Sequence, residues 1–282
     1  MTVIRSLEHI HFDSLFDAFS KAFADYEMQL SKEELYVMLS RRGFVPELSF
    51  GAFENEKLLS FTFNGIGEYR GKPTAYDTGT GTLKEYRGQG LASAIFEHAV
   101  PVLQLAGISQ YVLEVLQHNS AAVSVYQKQG FQVSREFNYF MQRTDQIKLV
   151  KLNSNIQIRP ILLSDKKLMT SFWDFQPSWQ NSFEAIARRE SDFKMIGAYQ
   201  DNELLGYCIF DGASGDFTQL AVARAHRRSG IGTTLIKELL PWSQKQMVKF
   251  INTETTCLSI LRFLESLGIP LKGKQFEMIR QW

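Results

Sequence analysis

A glycine loop that occurs twice is the feature that most constrains the fold of this chain. Both copies have the form Arg-x-x-Gly-x-small, at residues 87–92 and 227–232. Each copy follows a strand-like run and opens a helix-like run. The order of elements around the first loop returns around the second. The sequence therefore predicts an internal duplication of one domain built from helices and strands.

The predicted elements of the two halves follow one order: a short strand, two helical stretches, a hairpin, a strand, the glycine loop, a helix, a strand and a last helix. Turn residues at 54–57 and 200–203 mark the two hairpins. The last helix of each half ends at a glycine, Gly130 or Gly268, which suits a helix C-cap. This agreement between the halves supports the duplication.

Local signals set some of the helix boundaries. Ser31 and Glu34 have the spacing of a capping box and predict the start of the second helix, which should run to about Arg41. Pro101 should kink or end the helix that follows the first glycine loop. In the second half, helices are predicted over 165–175, 182–189 and 230–246.

We therefore predict an α/β chain of the α+β type with two tandem domains. Each domain should hold a mixed, mostly antiparallel sheet flanked by helices. The polar stretch 143–155 has no apolar periodicity, so we place a linker there, between an N-terminal domain at 1–142 and a C-terminal domain at 156–282.

Composition narrows the class of protein. Charged residues make up 22% of the chain and the net charge is +1, so no nucleic-acid surface is indicated. No apolar run reaches the length of a membrane span, and the first residues do not resemble a signal peptide. The two cysteines lie far apart in the sequence, which favours a reducing cytoplasm. The five histidines lack a metal-binding spacing, and we expect no metal. The oligomeric state stays open.

The glycine loops predict an anion site. Glycine lets the backbone approach a ligand closely, and a helix N-terminus offers unpaired N–H groups and partial positive charge. The leading arginine of each loop adds a cation that matches phosphate oxygens. A pyrophosphate is the natural occupant. Neither copy is an ATP-type phosphate loop or a full dinucleotide fingerprint.

A second group of residues gives a family resemblance. Leu113-Glu114-Val115 is followed by Asn119, Ala122 and Tyr126 and then by Gly130-Phe131, all downstream of the first loop. This pattern resembles the GNAT superfamily of acetyl-CoA-dependent N-acetyltransferases, over nearly the whole chain as two tandem copies. The likeness is stronger in the first half. It implies a transferase that moves an acetyl group from acetyl-CoA to a primary amine by direct attack, with catalysis in the N-terminal domain.

The resemblance also implies roles for single residues. Tyr126 would protonate the leaving thiolate, and Glu114 would be the general base, with Asp77 or water as the alternatives. The residues implied in coenzyme binding are Leu83, Arg87, Gly88, Gln89, Gly90, Leu91, Ala92 and Asn119 in the first half, and Arg227, Gly230 and Gly232 in the second.

The second half departs from the pattern. Counted back from Gly268, Leu264 stands where Tyr126 stands in the first half, Cys257 replaces Asn119, and Asn252 replaces Glu114. We therefore expect the second domain to be a scaffold or a residual coenzyme site. An alternative function is a non-catalytic acyl-CoA-binding or partner-binding protein on the same fold. A donor such as an aminoacyl-tRNA is disfavoured by the near-neutral charge.

The acceptor is expected to be a small-molecule or peptide amine. Its pocket should be built from residues 12–41 and 65–73, with the C-terminal domain as a further candidate. Acidic residues in the first of these segments could attract a cationic amine or could simply form a solvated helix face; they are Asp13, Asp17, Asp25 and Glu27.

Overall fold

The computed structural model describes residues 2–25, 29–149 and 156–282. The chain folds into two compact units: unit 1 consists of Met1–Ser134 with Phe276–Trp282, and unit 2 consists of Arg135–Gln275. Each unit is an α/β structure with a mixed, mostly antiparallel sheet, as predicted. In the described part of the chain, no helix is long and apolar enough to span a bilayer.

Unit 1 contains most of the first repeat. Its helices are α1 Phe12–Ala22, α2 Lys32–Arg42, α3 Leu91–Leu105 and α4 Ser120–Lys128. Its strands are β1 Thr2–Ser6, β2 Phe50–Glu54, β3 Lys57–Tyr69, β4 Lys72–Thr82 and β5 Gln110–Leu116. Strands β1 to β4 pair antiparallel in chain order, and β5 lies parallel beside β4.

The pairing of β4 and β5 shapes the site. The register joins Thr74–Tyr76 of β4 to Gln110–Val112 of β5. Beyond this register β4 continues to Thr82, and a bulge at Asp77 and Gly79 interrupts its pairing with β3. A bulge increases the local twist and bends a strand. The far ends of β4 and β5 consequently flank an opening.

Two apolar cores hold the sheet of unit 1. Helices α1 and α2 cover one core, in which Phe61 and Phe63 of β3 stack at 4.4 Å between ring centroids. Helix α3 covers the other core, where Phe96 stacks on Tyr111 of β5. Pro101 lies inside α3 and does not end it. The buried side chains of α3, among them Leu103 after the proline, explain why the helix continues.

Unit 2 follows the same plan. Its helices are α5 Lys166–Thr170, α6 Phe183–Ala187, α7 Ile231–Leu239 and α8 Leu258–Ser266, and its first strands are β7 Gln157–Pro160, β8 Phe193–Gln200, β9 Glu203–Asp211, β10 Asp216–Val222 and β11 Met247–Glu254. Helices α5, α6 and α7 are shorter than predicted. A 3-10 turn, Leu240–Trp242, follows α7 and contains Pro241, which cannot continue an α-helix.

The last strand of each repeat is divided between the two units, so that part of it lies in the unit formed mainly by the other repeat. Strand β6 Gln132–Arg143 begins in unit 1, but from Arg135 onwards it belongs to unit 2, where it pairs with β11. Strand β12 Leu271–Gln281 begins in unit 2 and passes into unit 1 at Phe276. The unit boundaries therefore differ from the boundary predicted from sequence, because an exchanged strand gives no signal in local composition.

The predicted linker is ordered at its start. Arg143 ends β6, a 3-10 turn at Thr144–Gln146 follows, and the backbone N–H of Lys148 donates to the carbonyl of Leu267 at 2.9 Å. Residues 150–155 lie outside the described residues. The part of the stretch that the structure describes is thus packed in unit 2.

Candidate active site

A cavity of about 350 Å³ lies in unit 1 at the diverging ends of β4 and β5. Its walls come from the end of α1, the last residues of β4, the first turns of α3 and α4, and the apolar side of β5. The lining includes Ala22, Phe23, Asp77, Thr80, Gly81, Thr82, Arg87, Ala92, Phe96, Tyr111, Leu113, Asn119, Ala122, Tyr126 and Gln129. The predicted residues Arg87, Ala92, Asn119 and Tyr126 are therefore brought together.

The glycine loop opens α3 beside this cavity. Gly88 and Gly90 have φ of 77° and 75°, a left-handed conformation that costs glycine little. No described atom lies within 4 Å of the place where a Cβ would stand on either glycine, so the backbone there is open to a ligand. Gly90 is also the N-cap of α3, and no side chain caps the helix. An anion can take that place.

The charge of Arg87 suggests a phosphate ligand, but its side chain bonds to groups of the protein. Its guanidinium donates to the carbonyls of Thr82 at 3.2 Å and Ala22 at 2.7 Å, and it contacts Asp25 at 3.4 Å. These bonds tie the loop to the end of β4 and to the end of α1. The side chain thus holds the loop in place through bonds within the protein.

Other predicted coenzyme residues lie outside the cavity lining. Leu83 follows the end of β4 and is only 3% exposed, in the core under α1 and α2. Thr80, Gly81 and Thr82 take its expected place along the strand edge. Gly88, Gln89, Gly90 and Leu91 are not among the described lining residues, although they flank Arg87 and Ala92 in the loop.

Tyr126 and Asp77 form the polar centre of the cavity. The Tyr126 hydroxyl donates to Oδ2 of Asp77 at 3.1 Å. Asp77 also accepts from the Thr80 hydroxyl at 2.8 Å and from the N–H of Gly79 at 2.9 Å. Burial raises the pKa of Asp77 above its ordinary value, although these hydrogen bonds act against the rise. A carboxylate with a raised pKa beside a phenol is suited to proton transfer.

Helix α4 brings Tyr126 to this position. Asn119 is its N-cap, and the Asn119 side chain accepts from the N–H of Ala122 at 3.2 Å. Tyr126 then lies almost two turns into the helix, on the side that lines the cavity. Its ring meets Phe131 edge to face, with 5.7 Å between centroids. The spacing from Asn119 to Phe131 is thus what places the phenol.

Glu114 lies elsewhere on β5. Leu113 lines the cavity, whereas Glu114, its neighbour along the strand, is not among the described lining residues. Successive side chains of a strand point to opposite faces, which explains the difference. Glu114 accepts from the Tyr76 hydroxyl at 2.9 Å, and burial raises the pKa of Tyr76 well above its ordinary range, so that phenol stays protonated. The geometry thus brings the alternative base, Asp77, to Tyr126.

The acidic residues of the first helices do not gather at the cavity. Asp13 pairs with Lys32, Asp17 pairs with Lys21, and Asp25 pairs with Lys84 and Arg87. These are exposed ion pairs, which fits a solvated surface. Glu27 lies outside the described residues.

Side chains contact the second glycine loop in unit 2. A Cβ added to Gly232 would lie 3.0 Å from Cζ of Phe263, so α8 lies close against the start of α7. Asp174 accepts from the Ser259 hydroxyl at 2.8 Å and pairs with Arg227 at 2.9 Å, and these partners hold its pKa below the usual value. Gly230 keeps the left-handed φ, at 86°.

The Tyr126–Asp77 pair of unit 1 has no counterpart at the matching positions of unit 2. Leu264, at the place of Tyr126, is fully buried in the core. Phe217 precedes Arg227 by the same interval as Asp77 precedes Arg87, and it stacks on Phe250. The second repeat therefore lacks both members of the Tyr126–Asp77 pair.

Sequence reasoning did not identify several lining residues. Thr80, Phe96 and Tyr111 carry no motif, and their side chains reach the cavity only because β4 and β5 diverge. Sequence analysis also missed the bulge at Asp77, for which the Thr-Gly-Thr-Gly run after it is a signal, because a glycine within a strand often marks a bulge. Across the described residues, no group of three or more possible metal ligands is found.

Comparisons with known proteins agree with the fold and the loop. The model of the Acetyltransferase (GNAT) family matches residues 11–131 and again residues 158–268. N-alpha-acetyltransferase 30 of Schizosaccharomyces pombe is 30% identical over 128 residues, which are 44% of this chain and 85% of that protein. N-alpha-acetyltransferase MAK3 of Arabidopsis thaliana is 29% identical over 43% of this chain and 68% of that protein.

Solved structures share the whole architecture. A tandem GNAT protein from the clavulanic acid biosynthesis pathway superposes with a TM-score of 0.73 at 13% identity, and the match covers 100% of this chain and 98% of the other. A GCN5-related N-acetyltransferase from Sphaerobacter thermophilus gives 0.71 at 13% identity, over 99% and 95% of the two chains. At such low identity the likeness concerns the fold. Two matches to the family model, one in each repeat, show that this chain is a tandem member of the Acetyltransferase (GNAT) family and an N-acetyltransferase.

Proposed function

We propose that unit 1 transfers the acetyl group of acetyl-CoA to a primary amine by direct attack, with Tyr126 as the proton donor to the leaving thiolate. The observation that carries the proposal is the Tyr126–Asp77 hydrogen bond inside a cavity that begins at the glycine loop. The family implies acetyl-CoA as co-substrate. The GNAT family match covers both repeats, and the polar groups of the cavity support the proposal for unit 1.

The residues of unit 1 fit the coenzyme. The open backbone at Gly88 and Gly90 and the start of α3 suit the pyrophosphate. Thr80 and Thr82 line the cavity along the end of β4, where the chain of the pantetheine arm would lie, and Asn119 faces it from α4. The acetyl group would then be near the Tyr126 hydroxyl.

The proton balance of the reaction can be met by groups in the cavity. The protonated amine loses two protons, one to a base and one to solvent, while its nitrogen forms a bond to the acetyl carbon and the carbon–sulfur bond breaks. The thiolate takes the proton of Tyr126. Asp77, if it is the base, can return the amine's proton to the phenolate through the existing hydrogen bond. No covalent enzyme intermediate is required.

Two carboxylates compete for the role of base. The family resemblance favours Glu114, and the cavity geometry favours Asp77. We propose to separate them with Asp77→Asn and Glu114→Gln, measured as kcat/KM against pH. The variant without the base should lose about 10²–10⁴-fold in rate. Its rate should recover partly at high pH, where more of the amine is already deprotonated. If both variants keep the wild-type profile, water is the base.

For the acceptor, we propose the amino group of a peptide N-terminus. Two curated relatives carry the name N-alpha-acetyltransferase, one at 30% identity over 85% of its length. A small-molecule amine is the alternative within the same chemistry. Both cysteines, Cys208 and Cys257, are free thiols, which supports the proposal of a cytoplasmic location.

The second repeat serves in this proposal as a scaffold without a working coenzyme site. Phe263 packs on Gly232, and Asp174 links Arg227 to Ser259, in the region where unit 1 has its cavity. A coenzyme would have to displace these contacts. One bound coenzyme per chain is therefore expected.

The decisive experiment combines binding with turnover. Coenzyme A should bind with a stoichiometry near one, and release of free thiol from acetyl-CoA should depend on an added peptide amine. Binding without thiol release for any peptide or small amine would favour the alternative, a non-catalytic acyl-CoA-binding protein. Absence of coenzyme binding would overturn both proposals.

A further inference from the structure

The last seven residues of the chain are part of the unit that holds the cavity. Phe276–Trp282 belongs to unit 1, although this segment ends the second repeat. Met278 is fully buried in the core under α3, together with Tyr111 and Leu113. The indole N–H of Trp282 donates to the carbonyl of Ile108 at 2.7 Å. The segment is thus fixed on both sides of residue 280.

A buried carboxylate anchors the start of this segment. Glu277 is 0% exposed, and it accepts from the hydroxyls of Tyr69 at 2.8 Å and Ser134 at 3.0 Å. Arg70 lies 3.3 Å from it as a counter-ion. A buried charge is tolerated when it is paired and hydrogen-bonded in this way. The position of the segment is therefore closely defined.

Arg280 connects this segment to the catalytic helix. Its Nη1 donates to the carbonyl of Gln129, the C-cap of α4, at 2.7 Å. The guanidinium also lies over the ring of Phe96, 5.2 Å from the centroid. Gln129 and Phe96 both line the cavity. A cation at a helix C-terminus is stabilised by the helix dipole.

Helix α4 needs such an attachment. None of its 9 residues is buried, whereas its counterpart α8 buries Leu264. The apolar residues Ala122, Val123 and Tyr126 of α4 pack against the core under α3 but are only partly buried. Most helical stability in proteins comes from burial of one face, so packing fixes α4 less firmly than a helix with a buried residue. The contacts at the two ends of α4 consequently contribute more to fixing its position. Tyr126 lies in the last turn, next to the end that Arg280 holds.

We propose that Arg280, supplied by the last strand of the second repeat, is a positioning residue that holds α4 and thereby places the Tyr126 hydroxyl in the cavity. The expected effect of Arg280 on catalysis rests on the proposed function. Its expected effect on the position of α4 is independent of that function. The second repeat would then contribute to the reaction through its terminal strand, without binding coenzyme itself.

The test uses Arg280→Ala in the full chain, with Arg280→Lys as the conservative variant. Hydrogen exchange of the α4 amides should become at least about tenfold faster in Arg280→Ala, while the amides of α8 keep their wild-type rates. The kcat should fall about ten- to hundredfold, since a displacement of about 1 Å can have that cost. KM for acetyl-CoA should change much less. Arg280→Lys should restore part of both, because an ammonium group still reaches the carbonyl of Gln129.

Lys148→Ala is the matched control. Lys148 lies against Gly268 at the end of α8, as Arg280 lies against Gly130 after α4. Its removal should leave α4 exchange and kcat unchanged. Unchanged α4 exchange in Arg280→Ala would overturn the proposal. If α4 exchange rises but Tyr126→Phe is fully active, the positioning role stands and the proposed catalytic role fails. Should Arg280→Ala not fold, Arg280→Gln, which keeps a donor, replaces it in the same measurements.

Discussion

At the scale of single residues, the proposed mechanism depends on one phenol, Tyr126, and its partner, Asp77. Tyr126 is partly exposed and its hydroxyl contacts Asp77, so the hydroxyl can be removed without opening a large cavity in the core. The groups that fix the coenzyme lie on other elements, namely the loop before α3 and the end of β4. The chemical step and coenzyme binding should therefore separate in a variant at this position.

Tyr126→Phe should leave coenzyme affinity within about twofold of the wild type and lower kcat by about 10²–10⁴-fold, because the thiolate must depart without a proton. Single-turnover thiol release and a coenzyme titration would measure the two quantities. If Tyr126→Phe is fully active and changes near Leu264 abolish activity, the active site lies in unit 2 and the proposal is wrong.

The raised pKa of Asp77 has a consequence for stability. Because the folded state holds this proton more tightly than the unfolded state, ionisation of Asp77 disfavours folding, and its destabilising effect appears as the pH rises above the ordinary carboxyl value of 3.8. Asp77→Asn removes that ionisation. The thermal midpoint of the variant relative to the wild type should therefore rise from pH 4 to pH 7, as read by calorimetry. A relative midpoint that falls over this range would contradict the direction of the pKa shift.

Sequence analysis identified the site residues that lie close together in the sequence. Asn119 and Tyr126 stand on one helix and were both expected at the coenzyme, and both line the cavity. The contact between Tyr126 and Asp77 could not be predicted, since it depends on the bulge in β4 and on the angle between two strands. The contact of Arg280 could not be predicted from sequence either, because its partner Gln129 is in the other repeat.

At the scale of elements, two similar loops have different surroundings. Gly90 and Gly230 are both left-handed N-caps of helices, α3 and α7. The first loop borders the cavity described above, whereas Phe263 packs on Gly232 beside the second loop. The loops therefore form a natural pair of variant and control.

Gly90→Glu should abolish the rise in thermal midpoint that coenzyme A produces, because it places a carboxylate at the phosphate site. Gly230→Glu carries the same backbone strain, of about 1 kcal/mol, and should keep the rise. Thermal melts at several coenzyme concentrations would measure both. If Gly230→Glu also loses the shift, the second loop binds coenzyme and unit 2 is more than a scaffold.

Element boundaries were predictable where capping chemistry sets them. The capping box of Ser31 and Glu34 is present, and α2 runs to Arg42, one residue beyond the expected end. Helices α5, α6 and α7 of unit 2 were predicted too long. Sequence patterns alone do not show that the backbone N–H groups of Phe172 and Trp173 bond in turns after α5.

At the scale of the whole molecule, two strands pass from one unit to the other. Residues 135–149 of the first repeat are in unit 2, and Phe276–Trp282 of the second repeat is in unit 1. Sequence analysis predicted the duplication and the family correctly. It could not predict the exchange, because a strand has the same alternating pattern whichever sheet it joins.

A protease site inserted between Leu149 and Ile156 tests the exchange. After cleavage, each fragment still contains a strand that completes the unit of the other, so the fragments should co-elute in gel filtration and keep the coenzyme-induced thermal shift. They should separate only under denaturing conditions. Two fragments that elute apart under native conditions, each folded, would show that the units are independent.

The position of Met278 and Trp282 in the core of unit 1 also concerns biosynthesis. Domains of a growing chain usually fold in order from the N-terminus. Here the first repeat lacks a core residue, a buried carboxylate and the arginine at α4 until the segment Phe276–Trp282 has been translated. We expect that a nascent chain lacking only the final strand would not yet release thiol from acetyl-CoA. Synthesis of an incomplete chain, for instance after a premature stop codon, would then yield an inactive polypeptide even though every residue of the cavity lining had been made.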